Sequence, residues 1–179
     1  MAVQYGVYRP KKILNVHKHA DSWFWDKYSA HPYLGCEYGC EYCYNREKRF
    51  CPYDSPDDYS KIVTIKENAA ELLRKELSKV PKDIVAVGDY QPVEAETRLS
   101  RKILEVCLEL EFPVFVLEKS VLVLRDIDLL ERINEKSWAC VAFSIITTRD
   151  DDVRELFEPR APPVSSRFKA LKEFSSRGI

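Results

Sequence analysis

From residue 68 onward, short apolar segments alternate with segments in which apolar residues recur every three or four positions. The apolar segments are residues 83–90, 113–120 and 138–148, and the periodic segments are residues 68–80, 96–111, 126–135 and 165–178. The periodic spacing predicts amphipathic helices, and the continuously apolar runs predict strands that are buried on both faces. Such an alternation is typical of a parallel sheet with helices packed against it, so we expect an α/β fold.

The segment before this alternation is expected to complete the sheet. Residues 31–36 (HPYLGC) would supply a first strand, which gives about four parallel strands in all. Residues 1–30 carry several aromatic side chains but little periodicity, and we expect them to form an N-terminal extension packed on the domain of residues 31–179. Right-handed crossovers place the carboxyl ends of all the strands on one face, where sites of chemistry gather in such folds.

The bulk properties restrict the class of protein. The chain has 179 residues, of which 45% are hydrophobic and 32% are charged, and this suits one globular domain. Its formal net charge of −1 gives no electrostatic case for a nucleic-acid partner. The sequence has no apolar run of the ~18 residues that span a bilayer, and its start lacks the apolar core of a secretory signal. We therefore expect a cytoplasmic protein with reduced cysteines and no membrane partner.

Three of the six cysteines lie close together in the sequence YLGCEYGCEYCYNREK. Cys36, Cys40 and Cys43 have the spacing C-x3-C-x2-C, which is a metal-ligand pattern rather than a disulfide pattern in a reducing compartment. A structural zinc site needs a fourth ligand, for which Cys51 is a candidate. An iron–sulfur cube normally takes four thiolates, so three would leave one iron open to another ligand. The remaining cysteines lie in a predicted helix and strand and are expected to be inert: Cys107 and Cys140.

This cysteine motif, with an aromatic residue before its last cysteine, resembles that of the radical S-adenosylmethionine superfamily. In order along the chain, HPYLGCEYGCEYCYNRE, GDYQPVE, EKS, RDIDLL, FSIITT and EPRAPPVSSRFKALKEFSSRGI resemble the DNA repair photolyase-like branch related to spore photoproduct lyase. The resemblance implies a partial parallel (β/α) barrel with helices outside. It also implies a [4Fe–4S] cluster on Cys36, Cys40 and Cys43 that binds S-adenosylmethionine and cleaves it reductively to a 5′-deoxyadenosyl radical.

The resemblance implies roles for further residues. Lys119 and Ser144 would contact S-adenosylmethionine at the ends of their strands, and Tyr42 and Tyr44 would relay hydrogen atoms in lyase-like catalysis. Asp89 either binds the ammonium group of the cofactor or the substrate, or it only forms the turn after its strand. The lyase carries a hydrogen-donating cysteine after its second strand, where this chain reads GDY, and this difference argues against spore photoproduct as the substrate.

The partners follow from the same resemblance and from the strand count. The superfamily barrel normally has six strands, whereas the sequence predicts four and ends at RGI, so we expect a chain truncated before strand five or one part of an assembly. Strand four would then be an edge that self-associates or is covered by the N-terminal aromatic residues. An electron donor such as ferredoxin or flavodoxin is implied, and a nucleic acid is the candidate substrate.

Three hypotheses of function stay open. The first is a radical S-adenosylmethionine enzyme that modifies or repairs nucleic acid. The second is a non-enzymatic metal module, in which zinc or a cluster only stabilises the fold. The third is a fragment of a longer enzyme that binds a cluster without completing a turnover. Iron content separates the second hypothesis from the others, and cleavage of S-adenosylmethionine separates the first from the third.

Overall fold

The computed structural model describes residues 2–20 and 22–179, and the side chains of all of these except residues 150 and 151. The described residues form eight strands in two sheets. The larger sheet contains, in spatial order, β2 (Leu14–Val16), β3 (Tyr28–Ala30), β6 (Val85–Val87), β7 (Val114–Glu118) and β8 (Ala139–Phe143). The smaller sheet contains β1 (Gln4–Tyr8), β5 (Ile62–Lys66) and β4 (Tyr33–Leu34) in that order.

Four helices of nine or more residues follow the strands as the apolar periodicity predicts. They are α1 (Ala69–Leu77), α3 (Leu99–Glu109), α4 (Ile127–Lys136) and α6 (Val164–Ser176). Two shorter helices, α2 (Glu94–Thr97) and α5 (Glu155–Phe157), precede α3 and α6. Among the described residues, no helix combines the length and the apolar composition that crossing a membrane would require.

The prediction of a partial parallel (β/α) barrel was wrong. The strands belong to two separate sheets, and each sheet contains one antiparallel pair, β2 with β3 and β4 with β5. The first parallel strand is Tyr28–Ala30 rather than residues 31–36, because Tyr33 and Leu34 pair with β5 in the smaller sheet. A strand of three residues is too short to show a period of two, so β3 could not be recognised from its pattern.

The main apolar core lies between one face of the larger sheet and the long helices. Alternate residues of the parallel strands, such as Val87, Val116 and Val141, are buried there against the helices. On the opposite face, the rings of Phe24 and Trp25 pack against Phe115, with centroids 6.0 and 6.2 Å away. The N-terminal aromatic residues therefore lie over β7, while β8 forms an edge of the sheet and pairs with β7 alone among the described strands.

Strands β3, β6, β7 and β8 run parallel and in chain order, so their carboxyl ends meet at one edge of the larger sheet. We call this edge, with the loops that follow it, the carboxyl edge. Asp89 lies two residues after β6, Lys119 directly after β7, and Ser144 directly after β8. The three clustered cysteines follow β4, which comes shortly after β3. The topology thus gathers the loops that carry the sequence-predicted site residues.

Candidate functional site

The three clustered cysteines share one short loop, which we call the cysteine loop (residues 35–43). Cys40 is buried and Cys36 and Cys43 are half-buried, and all three pack against a small apolar cluster with Tyr38 and Ala161. Burial raises the pKa of Cys36 and of Cys40, and the neighbouring thiols of the loop raise both further. The three sulfur groups therefore lie close enough to influence one another's charge.

Two glycines allow the cysteine loop to follow its path. Gly35 has a φ of +84°, and a Cβ there would lie 2.0 Å from the carbonyl oxygen of Ile62. Gly39 has a φ of +62°, and its Cβ would lie 2.6 Å from the guanidinium of Arg160. Any other residue would be strained at these φ values, and at position 35 it would also collide with the main chain of β5. The loop is therefore seated against β5 on one side and against the segment after β8 on the other.

Hydrogen bonds from the loop after β6 fix the cysteine loop further. The buried side chain of Gln91 accepts from the Glu37 N–H at 2.9 Å and donates to the Gly35 carbonyl at 3.1 Å. The Glu37 carboxylate accepts from the Val93 N–H at 2.7 Å, and the Tyr38 hydroxyl donates to the carbonyl of the residue before Gln91 at 3.0 Å. The sequence analysis did not identify Gln91, because a single amide in the polar segment GDYQPVE has no periodic pattern that would predict its burial.

Lys119 faces the cysteine loop from the end of β7. Its ammonium nitrogen lies 5.5 Å from the centroid of the Tyr42 ring, within the range of a cation–π contact. Burial raises the pKa of Cys40, while the positive charge of Lys119 lowers it. Lys119 therefore presents its charge to the side of the loop that carries Tyr42 and Cys40.

A buried ion pair lies beyond Tyr42, and no sequence pattern indicated it. Glu158 and Arg167 are both 0% exposed, and they approach to 2.5 Å. The Tyr42 hydroxyl donates to the other oxygen of the Glu158 carboxylate. Arg167 also donates to the carbonyl of Ser144 at 2.8 Å. The pair thus connects the cysteine loop to the end of β8.

Asp89 lies on the other side of the cysteine loop and has a partner. Its backbone has a φ of +67°, and its carboxylate lies 3.2 Å from Nδ1 of His31. Desolvation lowers the pKa of His31, but the Asp89 carboxylate and its hydrogen bond outweigh it, so the pKa lies above its usual value. The charge of Asp89 also raises the pKa of Cys36, second to burial.

A buried carboxylate joins the loops after β6 and β7. Glu118, the last residue of β7, accepts from the N–H groups of Tyr90, Lys119 and Ser120 at 3.0, 3.3 and 3.5 Å. Burial raises its pKa to about 7, and the charge of Asp89 acts in the same direction. Its main-chain oxygen accepts from the N–H of the first residue after β8 at 2.8 Å. Glu118 therefore bonds main-chain groups of three loops at the carboxyl edge.

Three further side chains that the sequence singled out differ in surroundings. Tyr44 is 61% exposed, and its ring packs edge-on against Phe50 with centroids 5.6 Å apart. Cys51 donates its thiol to the carbonyl of Ser55 at 3.8 Å. Cys107 is fully buried in the main core, away from the carboxyl edge. Cys51, the candidate for a fourth zinc ligand, is thus a half-buried free thiol that bonds within its own turn.

The cysteine loop supplies three thiols, one fewer than a closed zinc site needs. Over the part of the chain that the structure describes, no three His, Cys, Asp or Glu side chains converge to hold one metal ion. A zinc ion and an iron–sulfur cube would both require the thiolates to converge, on one ion or on the corners of one cube. All six cysteines, each within the described ranges, are free thiols.

A cavity of about 650 Å³ opens beside the cysteine loop. Its walls include the side chains of Tyr38, Tyr90, Leu122, Arg125 and Arg160, and none of the described carboxylates lines it. The two tyrosine rings are fixed, since the Tyr38 hydroxyl donates to the Tyr90 carbonyl and the Tyr90 hydroxyl donates to a buried aspartate. The cavity is mostly apolar with two arginines at its walls.

Comparison with known proteins gives relatives without an assigned function. No family model and no solved structure matches the chain. An uncharacterized protein of Methanocaldococcus jannaschii is 30% identical over 154 residues, which cover 86% of this chain and 57% of that protein. An uncharacterized protein of Mycobacterium tuberculosis is 25% identical over 160 residues, covering 86% and 47%, and one of Acidianus two-tailed virus is 29% identical over 157 residues, covering 82% and 50%. The chain thus spans about half the length of the curated relatives it matches.

Proposed function

We propose that this chain is a radical S-adenosylmethionine iron–sulfur protein of the cytoplasm. The observation that carries the proposal is the loop itself: Cys36, Cys40 and Cys43 share one turn of chain at the carboxyl edge of parallel strands, with the cation of Lys119 beside them. When bound, a [4Fe–4S] cluster supplies the electron that cleaves S-adenosylmethionine and so provides a 5′-deoxyadenosyl radical. A structural zinc site is less favoured, because a closed tetrahedron needs four ligands and the cysteine loop supplies three.

The surrounding residues are suited to hold the cofactor. Lys119 would bind its carboxylate, and Ser144 would hydrogen-bond it from the next strand end. The parallel pairing of β7 with β8 brings these two residues together although they are 25 positions apart in sequence. Asp89 is placed at the same edge with its carboxylate 3.2 Å from His31, and we propose that it accepts the cofactor's ammonium group. When no cofactor is bound, the raised pKa of His31 favours a protonated imidazole as the partner of the Asp89 carboxylate.

The two tyrosines that flank Cys43 are proposed to differ in role. Tyr44 is 61% exposed, so it can reach a bound substrate and take part in hydrogen-atom transfer. Tyr42 is engaged with Glu158 and with Lys119. The neighbouring cavity, whose walls include Tyr38 and Arg160, is our candidate for the substrate site, and we propose a nucleic acid as the substrate. A small electron-transfer protein such as ferredoxin or flavodoxin would supply the electron.

Anaerobic reconstitution with iron and sulfide tests the metal centre. We expect about four irons per chain and a brown chromophore. A variant with Cys36, Cys40 and Cys43 all replaced by Ala should hold no iron, whereas the matched control Cys51→Ala should hold as much as the wild type. Equal loss in Cys51→Ala would contradict the three-ligand site.

Reductive cleavage of S-adenosylmethionine tests the chemistry. The reconstituted protein, reduced with dithionite, should release 5′-deoxyadenosine, which chromatography detects. A protein that holds four irons but releases none would instead support a structural cluster or an incomplete enzyme.

A further inference from the structure

The Glu158–Arg167 ion pair is the most deeply buried pair of charges at the carboxyl edge. Both side chains are 0% exposed, although Glu158 follows α5 in a loop and Arg167 lies in the first turns of α6. Taking two charges out of water is unfavourable unless the geometry is good and the remaining donors and acceptors are satisfied. A contact that only stabilised the packing of this loop on α6 would be made more readily by apolar side chains.

Arg167 satisfies its donors almost entirely on the main chain. Its guanidinium donates to the carbonyl of Pro162 from Nε at 3.0 Å and from Nη2 at 2.7 Å, and to the carbonyl of Ser144 from Nη1 at 2.8 Å. The bond to Ser144 reaches from α6 to the first residue after β8. Since the Ser144 N–H donates to the Glu118 carbonyl at 2.8 Å, both main-chain groups of Ser144 are fixed.

The second carboxylate oxygen of Glu158 forms a hydrogen bond with the cysteine loop. It accepts from the Tyr42 hydroxyl, and the adjacent Glu41 N–H donates to the carbonyl of Phe157 at 2.9 Å. The Tyr42 ring in turn lies 5.5 Å from the ammonium of Lys119. One face of the Tyr42 ring thus contacts the ammonium of Lys119, while the Tyr42 hydroxyl is fixed by its hydrogen bond to Glu158.

We infer that Glu158 and Arg167 are positioning residues for the cofactor site, an inference that rests on the proposed function. Through Tyr42 the pair sets the place of Lys119, and through the Ser144 carbonyl it sets the end of β8. The ion pair therefore positions both predicted cofactor contacts, Lys119 and Ser144, relative to the cysteine loop. Tyr42 acts as a positioning residue too, which leaves Tyr44 for hydrogen-atom transfer.

The chain contains a matched control for a pair that is only structural. Glu94, also 0% exposed, pairs with Arg125 at 2.7 Å and accepts from the Ser100 N–H at 2.9 Å. That pair ties the starts of α2 and α3 to the turn before α4, and within the described ranges it makes no hydrogen bond or ion pair with the cysteine loop, Lys119 or Ser144. Glu94→Gln therefore removes a buried carboxylate charge of the same kind without touching the positioning contacts.

Fluorine NMR of protein labelled with 3-fluorotyrosine tests the positioning without iron or cofactor. The resonance that disappears in Tyr42→Phe identifies Tyr42. It should shift in Glu158→Gln and in Lys119→Ala, and stay in place in Glu94→Gln. A Tyr42 resonance unchanged in Glu158→Gln overturns the inference. If Glu158→Gln does not fold, Arg167→Lys serves in its place, because it keeps the buried charge but loses the planar fork that reaches Ser144 and Pro162.

The affinity for S-adenosylmethionine, measured by calorimetry on the reconstituted protein, tests whether positioning matters for binding. Glu158→Gln and Tyr42→Phe should each weaken binding about tenfold, and the double variant should be no weaker than the weaker single variant, because both changes act through one contact. Glu94→Gln should bind as the wild type does. Effects that multiply in the double variant, or wild-type affinity in Glu158→Gln, overturn the inference. A wild-type protein that binds no S-adenosylmethionine contradicts the proposed function, while the fluorine resonances still decide the positioning.

Discussion

The helix-covered face of the larger sheet buries apolar side chains, whereas its carboxyl edge also buries charged side chains with their hydrogen-bond partners. Between the sheet and the helices, Leu104, Val116 and Ile133 have no exposed surface and contact apolar neighbours. At the carboxyl edge, the buried groups include carboxylates such as Glu118 and Glu158. Apolar burial stabilises any compact arrangement, whereas a buried carboxylate is tolerated only with its hydrogen-bond partners in place. The first region therefore supplies stability, and the second specifies the geometry of the loops.

The partners of the buried carboxylates explain why the edge needs them. Glu37 accepts from the N–H of Val93, and Glu118 accepts from three N–H groups of two loops. Loops lack the repeating hydrogen bonds of helices and sheets, so their buried N–H groups require other acceptors. Side-chain carboxylates at the strand ends supply these acceptors. The comparison predicts that mutations in the two regions will affect different measurements.

Ile133→Ala should give the largest change in stability. The side chain is fully buried in α4, and its loss leaves a cavity that costs about 2–5 kcal/mol in the free energy of unfolding. Denaturant unfolding measures this, and iron loading after reconstitution should remain at the wild-type level. The matched control is Leu117→Ala on the other face of β7, where the side chain is 38% exposed and the loss should be about half as large or less. Equal losses would mean that both faces of the sheet are packed alike.

Glu118→Gln should reveal a pH dependence that belongs to the carboxyl edge. In the folded protein the pKa of Glu118 is raised from 4.5 to about 7, a difference of about 3 kcal/mol. Because the folded state binds the proton more tightly than the unfolded state does, the wild type should lose stability relative to the variant as the pH rises from about 4.5 to 7. Above that range the difference should stay constant.

Denaturant unfolding of both proteins at several pH values measures the effect. The side chains that face Glu118 and can titrate or carry charge include Asp89, Tyr38 and Tyr90. Asp89→Asn is therefore the control for a contribution from its neighbour. A stability difference between wild type and Glu118→Gln that is flat with pH would show that Glu118 is ionised in the folded protein throughout.

Lys119→Ala should give the smallest change, and it should appear in binding rather than in stability. Removing a cation that hydrogen-bonds a cofactor carboxylate weakens binding by about 1–3 kcal/mol. Calorimetry with S-adenosylmethionine measures this, and Lys102→Ala, which removes an exposed lysine from α3, is the control. Unchanged affinity in Lys119→Ala would remove Lys119 from the cofactor site and leave its contact with Tyr42 as a packing feature.

The regular half of the fold was predictable from sequence because its elements are long and periodic. Helix α3 follows the spacing of Leu99, Ile103 and Val106, and it was located within a few residues. Strand β3 and the smaller sheet were missed. Strand β3 has only three residues, and the side chains of β1 are mostly exposed. Neither strand therefore has enough apolar pattern to be recognised from sequence.

The polar half of the site was predictable only in part. The cysteine spacing is local, so the sequence itself brings the three thiols to one loop. The pair of Glu158 with Arg167 and the bridge made by Gln91 depend on which side chains become buried, and only the tertiary fold decides this. Glu and Arg are almost never fully buried unless they are paired, so sequence reasoning assigns them to the surface by default.

The seating of the cysteine loop implies that the motif cannot be transplanted as a peptide. Its path depends on Ile62, whose carbonyl admits only glycine at position 35, on Gln91, and on Arg160 beside Gly39. These three residues come from parts of the chain that are far apart in sequence. A designer who grafted residues 33–48 onto another scaffold would carry over the thiols but none of the groups that hold them in place. The unit that would have to be copied is the whole carboxyl edge.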